Sequence, residues 1–188
     1  MRKLKLQMQM TIDGFVAGPE GQLDWMTFDM DEKLLQLINE ITDSSGTILM
    51  GRKMTEGFIN YWEGIVNNQP DSPEFSFAQK MVNIPKIVFS KTIKTVAGKN
   101  TTVENGDLVT AVNELKKQDG KDIVVYGGAT FVSSLIRHHL IDELNLFLNP
   151  AAIGDGLKIF SESIPFTLTG SKAYTCGIVV NQFKPRNK

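Results

Sequence analysis

The sequence predicts a three-layer α/β fold, with a mixed and mostly parallel central sheet flanked by helices. Short apolar strands alternate with amphipathic helices through most of the chain, which is typical of parallel β-α-β units. The last two predicted strands follow each other without a helix, which indicates antiparallel strands at the C-terminal end. No linker divides the 188 residues, so we predict a single domain over 1–188.

Eight strands are predicted from two kinds of pattern. Residues 4–10 alternate between apolar and polar side chains, the period of two that a strand with one buried face shows. Ile123 to Tyr126 form a continuous apolar run, as expected at the centre of a sheet. The remaining predicted strands cover 47–50, 87–89, 101–104, 144–148, 166–174 and 178–183.

Four helices are predicted from apolar residues at helical spacing. The first has Leu34 and Ile38 on its apolar face, and either Asp29 or Asp31 can cap its start. The other three helices cover 52–62, 108–115 and the segment that contains Phe131, Leu135 and Ile136. Segments 13–21 and 67–73 are rich in glycine, proline or polar residues, so we predict loops there.

The composition restricts the class of function. Lys and Arg number 20 against 21 Asp and Glu, so the chain lacks the basic excess of nucleic-acid-binding proteins. One cysteine, Cys176, and the adjacent His138 and His139 do not supply the ligands of a structural zinc site. The chain has no signal-peptide pattern and no run of apolar residues long enough to cross a bilayer. We therefore expect a cytoplasmic protein that acts on a small molecule and binds neither metal, nucleic acid nor membrane.

Glycine or polar pairs directly follow four of the predicted strands. In open α/β sheets the ligand crevice lies beyond the carboxyl ends of the strands, so these pairs are predicted to converge. A helix that starts at a glycine offers free backbone N–H groups to a phosphate, although an ordinary tight turn is the more frequent interpretation of such a pair. The G-x-G-x-x-G fingerprint is absent. The four pairs are Asp13-Gly14, Gly51-Arg52, Ser90-Lys91 and Gly127-Gly128.

Five short motifs follow one another along the chain. They are MTIDGFVAG at 10–18, LMGRKMT at 49–55, KIVFSKT at 86–92, VYGGA at 125–129, and the segment 150–160 with its two glycines. In this order they resemble the dihydrofolate-reductase-like superfamily. The closer resemblance is to the C-terminal reductase domain of the bifunctional riboflavin-biosynthesis deaminase-reductase, in a stand-alone form. It implies NADPH as cofactor and hydride transfer to a small polar heterocycle or to a carbonyl or imine.

The resemblance also implies a role for each motif. A contact to the adenosine 2′-phosphate would favour NADPH over NADH as cofactor. The loop 150–156 would close one side of the substrate pocket. Asp13 would have a polar or acid role beside the reacting carbon. The implied cofactor contacts are Gly127, Gly128, Ala129 and Thr130 along the pyrophosphate, Gly51, Arg52 and Lys53 on its other side, Ser90 and Lys91 at the adenosine 2′-phosphate, and Ala17 and Gly18 at the nicotinamide.

Two departures from the related enzymes bear on the substrate. Folate reducers place an acid on the first helix, where this chain has Leu34, Leu35, Ile38 and Asn39. The zinc deaminase half of the riboflavin enzyme is missing, since its P-C-x-x-C element needs two cysteines. Three hypotheses stay open: an NADPH-dependent reductase, a nucleotide-binding module without activity, and a structural dimer with a vacant cleft. Arg52, Lys53 and Lys91 favour the first two, and the apolar C-terminal strands lead us to expect a homodimer.

Overall fold

The computed structural model describes residues 1–186, and this part of the chain contains eight strands and five helices. The predicted domain extends to residue 188, so its last two residues lie outside the described part. The strands are β1 (Leu4–Thr11), β2 (Ser45–Gly51), β3 (Lys86–Phe89), β4 (Thr101–Glu104), β5 (Asp122–Val125), β6 (Glu143–Asn149), β7 (Phe166–Ala173) and β8 (Val179–Pro185). The helices are α1 (Glu32–Asp43), α2 (Arg52–Asn68), α3 (Phe75–Asn83), α4 (Leu108–Lys117) and α5 (Ala129–Arg137).

The strands form one sheet in the order β4-β3-β2-β5-β1-β6-β8-β7. The pairs from β4 to β6 are parallel, and β8 and β7 pair antiparallel. The predicted fold class is therefore confirmed, including the central position of the strand that begins near Ile123. Because the six parallel strands point the same way, their last residues lie along one border of the sheet, called here the carboxyl edge.

Helices cover both faces of the sheet. On one face, Leu6 and Met8 of β1 pack with Val112 of α4 and Leu135 of α5. On the other, called here the α1 face, Leu34 and other residues of α1 and α3 pack over β2, β5 and β6. Since strand residues alternate between faces, β1 presents its polar residues to the α1 face. These residues are Lys5, Gln7 and Gln9.

Local rules explain where most elements begin and end. Asp31, and not Asp29, caps α1, and its Oδ1 accepts a hydrogen bond of 3.0 Å from the Leu34 amide. The prediction for α2 was too short, since the helix continues to Asn68 and buries Ile65. The helix α3 was not predicted, although Ala78, Met81 and Val82 form its buried stripe. Among residues 1–186, no helix combines the length and apolar character that a membrane span requires.

Candidate functional site

The end of β2 and the turn after β5 touch through two glycines at the carboxyl edge. A Cβ atom on Gly128 would lie 3.4 Å from both the N and the Cα of Gly51, and Gly128 has a φ of +88°. A Cβ atom on Gly51 would lie 2.7 Å from the Cβ of Phe131. Two of the predicted cofactor segments are thus brought together. Packing and backbone conformation alone already require glycine at both positions.

Two helices start at this contact without a side-chain cap. Gly51 is the N-cap of α2 and Gly128 the N-cap of α5, and neither position supplies a side chain to the first turn. By contrast, Asp31 caps α1 and Asp107 caps α4. The first-turn N–H groups of α2 and α5 therefore keep hydrogen-bonding capacity, and both helix dipoles place partial positive charge at the same point.

Two cations strengthen this positive region. Arg52 and Lys53 are exposed in the first turn of α2, which contains no acidic residue. Cations oppose the dipole of the helix on which they stand, so their position is unfavourable unless an anion lies nearby. At the start of α5, Thr130 is exposed and Ala129 is half-buried, so both are accessible. Together these groups form a region suited to phosphate.

Ser90 and Lys91 lie next to this region. Gly51 pairs with Phe89, so Ser90 is the first residue beyond the adjoining strand end. The Ser90 Oγ accepts hydrogen bonds from the amides of Thr92 and Ile93, at 3.1 and 3.2 Å. The Lys91 ammonium donates to the carbonyls of Asn105 and Gly106, at 3.0 and 2.5 Å. Lys91 is exposed and holds the ends of β3 and β4 together, and it keeps one N–H for a further acceptor.

Asp13 contacts the loop 150–156, which was predicted to border the substrate. Its Oδ2 accepts hydrogen bonds from the amides of Ile153 and Gly154, at 3.0 and 2.8 Å. Hydrogen bonds from the Thr11 side chain and from these amides lower the pKa of Asp13 below its ordinary value. The group is therefore a carboxylate at neutral pH, and in this arrangement it positions a loop.

Ala17 and Gly18 are buried beside the same loop. The Ala17 carbonyl accepts a hydrogen bond of 2.9 Å from the Leu157 amide, and Gly156 packs directly against it. Gly18 donates its amide to the carbonyl of Gln22, at 2.9 Å. Segments 13–18 and 150–157 thus form one connected border of the carboxyl edge. Gly51 and Gly128, with the helix starts beside them, form a second border.

Two polar residues near the ends of β1 and β6 were not predicted to belong to the site. Asn149, which is fully buried, donates through Nδ2 to the Gln9 Oε1 at 2.7 Å and accepts from the Thr27 amide at 2.8 Å. The sequence indicated only that Asn149 ends a strand and that Gln9 belongs to a polar face. The hydrogen bond between them depends on the pairing of β1 with β6, which no local pattern reveals.

Tyr126 follows β5 directly and packs on the α1 face of the sheet. Its ring stacks on Phe58 at 6.1 Å between centroids, and its hydroxyl lies 3.0 Å from the Thr42 Oγ1. Burial raises the pKa of Tyr126 to about 12, so the phenol stays neutral. Aromatic and sulfur-containing side chains of α2 pack on the same cluster, which makes the floor beneath Gly127 apolar.

A separate cavity of about 400 Å³ lies between α1 and the β7–β8 hairpin, away from the strand ends. Its walls carry both signs of charge, from Lys33 and Lys172 on one hand and Glu40 on the other. Within residues 1–186, no group of three or more His, Cys, Asp or Glu side chains is arranged to hold a metal.

Comparison with known proteins identifies the family. The family model of the RibD C-terminal domain matches residues 2–180. The chain is 30% identical over 181 residues to the protein YyaP of Bacillus subtilis (strain 168). The aligned region covers 95% of this chain and 92% of YyaP. Its fold is similar to that of a putative riboflavin biosynthesis protein from Shewanella sp. PV-4, with a TM-score of 0.68, 20% identity and complete coverage of both chains.

A second solved structure is similar in fold. It is a diaminohydroxyphosphoribosylaminopyrimidine deaminase/5-amino-6-(5-phosphoribosylamino)uracil reductase from Thermotoga maritima, with a TM-score of 0.66 and 18% identity. The likeness covers 98% of this chain but only 57% of the Thermotoga chain. This chain therefore corresponds in fold to part of that protein.

Proposed function

The chain belongs to the RibD C-terminal domain family, and we propose that it is an NADPH-dependent reductase that transfers a hydride to a small polar heterocycle or to a carbonyl or imine group. One observation carries this proposal. The uncapped starts of α2 and α5 meet at the contact between Gly51 and Gly128, beside Arg52 and Lys53. A dinucleotide brings a pyrophosphate, which is the ligand that such a convergence of N–H groups and cations favours.

The residues of the carboxyl edge can be assigned to successive parts of the NADPH molecule. The first-turn amides of Ala129 and Thr130 would donate to the pyrophosphate, and Arg52 and Lys53 would neutralise its charge from the side of α2. The third N–H of Lys91 would serve the 2′-phosphate. When bound, the cofactor supplies the hydride, and the protein supplies position and electrostatics.

The border formed by 13–18 and 150–157 would receive the nicotinamide and the substrate. Ala17 and Gly18 fix the shape of this border through their backbone hydrogen bonds to Leu157 and Gln22. Asp13 is ionised, so its role would be to stabilise positive charge on a protonated imine and to hold the loop, and not to act as an acid. Polarised C=N substrates are therefore favoured over simple ketones.

A fluorescence titration with NADPH and NADH tests the proposal. We expect NADPH to bind more tightly than NADH, and NADPH to be oxidised with at least one member of a panel of aminouracils and pterins. Arg52→Ala should raise the Kd for NADPH about tenfold, because it removes a charge-assisted hydrogen bond. Arg137→Ala removes an exposed arginine from the far end of α5 and should leave the Kd unchanged.

The outcomes separate the three hypotheses. Binding without oxidation across the panel would favour a nucleotide-binding module without activity. No binding of either nucleotide would contradict both nucleotide hypotheses and leave the structural dimer.

A further inference from the structure

The cavity between α1 and the β7–β8 hairpin has the size of a small-molecule site. Its volume is about 400 Å³, and sites for small ligands commonly have about 300–1,000 Å³. Asp31, the N-cap of α1, accepts two hydrogen bonds from Thr175 in the turn of the hairpin, at 2.7 and 2.8 Å, so the two walls are held together at that end. Both α1 and β8 then run away from the carboxyl edge, since Ser44 meets the start of β5 and Phe183 pairs near the start of β6.

Three charged side chains line the cavity in a defined order. Lys33 lies in the first turn of α1, and Glu40 follows seven residues later on the same face of the helix. Lys172 comes from β7, and its ammonium is directed toward the hairpin turn, because it lies over the ring of Tyr174. Both cations are therefore near the end of the cavity where α1 begins, and the carboxylate of Glu40 is near the other end.

Two of these charges are held in place by uncharged neighbours. The Lys172 ammonium lies 4.9 Å from the centre of the Tyr174 ring, within the range of a cation–π contact. The Glu40 Oε1 accepts a hydrogen bond of 2.8 Å from the Gln36 Nε2. In the part of the chain that the structure describes, none of the three charged side chains belongs to an ion pair. The cavity therefore keeps the capacity to pair with ligand groups of both signs.

Gln182 adds a hydrogen-bond acceptor of fixed orientation to the cavity. The Asn145 Nδ2 donates to the Leu6 carbonyl at 3.2 Å, so the Asn145 Oδ1 faces Gln182. The Gln182 Nε2 donates to that oxygen at 2.9 Å. The Gln182 Oε1 is thus left for the cavity, which this half-buried residue lines. Glu40 and the Gln182 Oε1 both accept hydrogen bonds, and an ammonium group only donates them, so the two acceptors suit an ammonium group.

We propose that this cavity is a second ligand site, which binds an acidic α-amino acid such as glutamate. The ammonium group of the ligand donates to Glu40 and to the Gln182 Oε1. Its α-carboxylate pairs with Lys172, and its side-chain carboxylate pairs with Lys33 at the end of the cavity where α1 begins.

The charges of the cavity and of such a ligand balance. Two cations and one anion in the walls meet two carboxylates and one ammonium group, so no charge of the ligand stays unpaired. Leu37 and Val180 supply apolar surface for the methylene groups of the ligand. None of the residues assigned to NADPH lines this cavity, so the inference goes beyond the proposed function.

Titrations followed by amide NMR shifts test the proposal one ligand group at a time. L-glutamate carries all three charges, glutarate lacks the ammonium group, and L-glutamine lacks the charge on the side chain. We expect the wild type to bind L-glutamate at least about tenfold more tightly than either analogue, since each analogue loses one charge-assisted hydrogen bond. Similar affinities for the three compounds, or a Kd for L-glutamate above about 10 mM, would overturn the proposal.

Two variants assign the ligand groups to their partners. Glu40→Gln should weaken L-glutamate binding about tenfold without weakening glutarate binding, because glutarate has no ammonium group. Lys33→Gln should weaken L-glutamate binding about tenfold without weakening L-glutamine binding. The matched control Glu32→Gln removes an exposed carboxylate of α1 that does not line the cavity, and it should not weaken the binding of any of the three compounds. The same loss for L-glutamate and for the analogue in either variant, or an equal loss in Glu32→Gln, would overturn the proposal.

Discussion

A Cβ atom on Gly128 would lie 3.4 Å from the Cα of Gly51, so the turn after β5 and the start of α2 meet backbone to backbone. This contact places two helix N-termini side by side. It also changes what a glycine substitution can test. A bulky residue at Gly128 would disturb the fold before it could report on phosphate binding, because φ is +88° there.

Alanine at either glycine should therefore lower stability. Gly128→Ala has to adopt a left-handed conformation, which costs about 1–2 kcal/mol. Gly51→Ala places a Cβ 2.7 Å from the Cβ of Phe131, and overpacking of this kind costs about 1–3 kcal/mol. The control is Gly57→Ala, which lies in α2 with open space around its Cβ position and should gain up to about 1 kcal/mol. Urea unfolding measures all three, and equal stabilities for Gly51→Ala and Gly57→Ala would contradict the packing described above.

Lys86 makes the free energy of unfolding depend on pH in the alkaline range. Its ammonium is buried and donates to the carbonyls of Met81, Val82 and Ile84, each at 2.9 Å, so it caps the end of α3. Burial, opposed by the charge of Glu63, lowers the pKa of Lys86 to about 8. The unfolded chain, with an ordinary pKa of 10.5, then binds more protons between these values, so stability rises with pH.

From pH 7.5 to 9.5 this group should add about 2 kcal/mol to the free energy of unfolding. Denaturant titrations of the wild type and of Lys86→Met at several pH values isolate the effect, which the variant should lack. Lys33→Met, which removes an exposed lysine of α1, should keep it. The same pH dependence in wild type and Lys86→Met would show that another group is responsible.

Asp13 should titrate below its ordinary pKa of 3.8, because Thr11 and two loop amides donate hydrogen bonds to it. The amide proton shifts of Ile153 and Gly154 report this titration directly, since both groups bind its Oδ2. In an acid titration followed by NMR, both amides should move together with a midpoint below 3.8. Asp13→Asn should abolish that transition. A midpoint above 3.8 in the wild type would contradict the hydrogen bonds to Asp13 described above.

Much of the fold was predictable because its buried strands are recognisable as short apolar runs in the sequence. The run Ile123 to Tyr126 is apolar throughout, and its first three residues lie in β5, the strand between β2 and β1. The short α3 was missed, since nine residues after a polar loop carry too few periods to stand out. At the start of α1, Asp29 and Asp31 were equivalent in sequence. Only the β7–β8 turn distinguishes them, because Thr175 donates its amide to the Asp31 Oδ2 at 2.7 Å.

The site was predictable to the extent that topology alone assembles it. Parallel strands bring their ends together, so the sequence predicted that Gly51 and Gly128 would converge. Their direct contact depends on the adjacency of β2 and β5, which the sequence did not reveal. Gln9 and Asn149 are 140 positions apart in sequence, and their hydrogen bond depends on a diagonal register between β1 and β6. In the sequence Gln9 looks like one more polar residue on the outer face of a strand. A helix covers that face, which the sequence did not reveal.

The most direct test of the central claim is the change in backbone amide NMR shifts when NADPH is added. If the starts of α2 and α5 hold the pyrophosphate, the largest changes should fall on Arg52, Lys53, Ala129 and Thr130, and they should saturate with a single Kd. Shifts confined to Leu37, Tyr174 and Gln182 would instead place the nucleotide in the cavity beneath α1. That result, or no shift at all, would contradict the assignment of the carboxyl edge as the cofactor site.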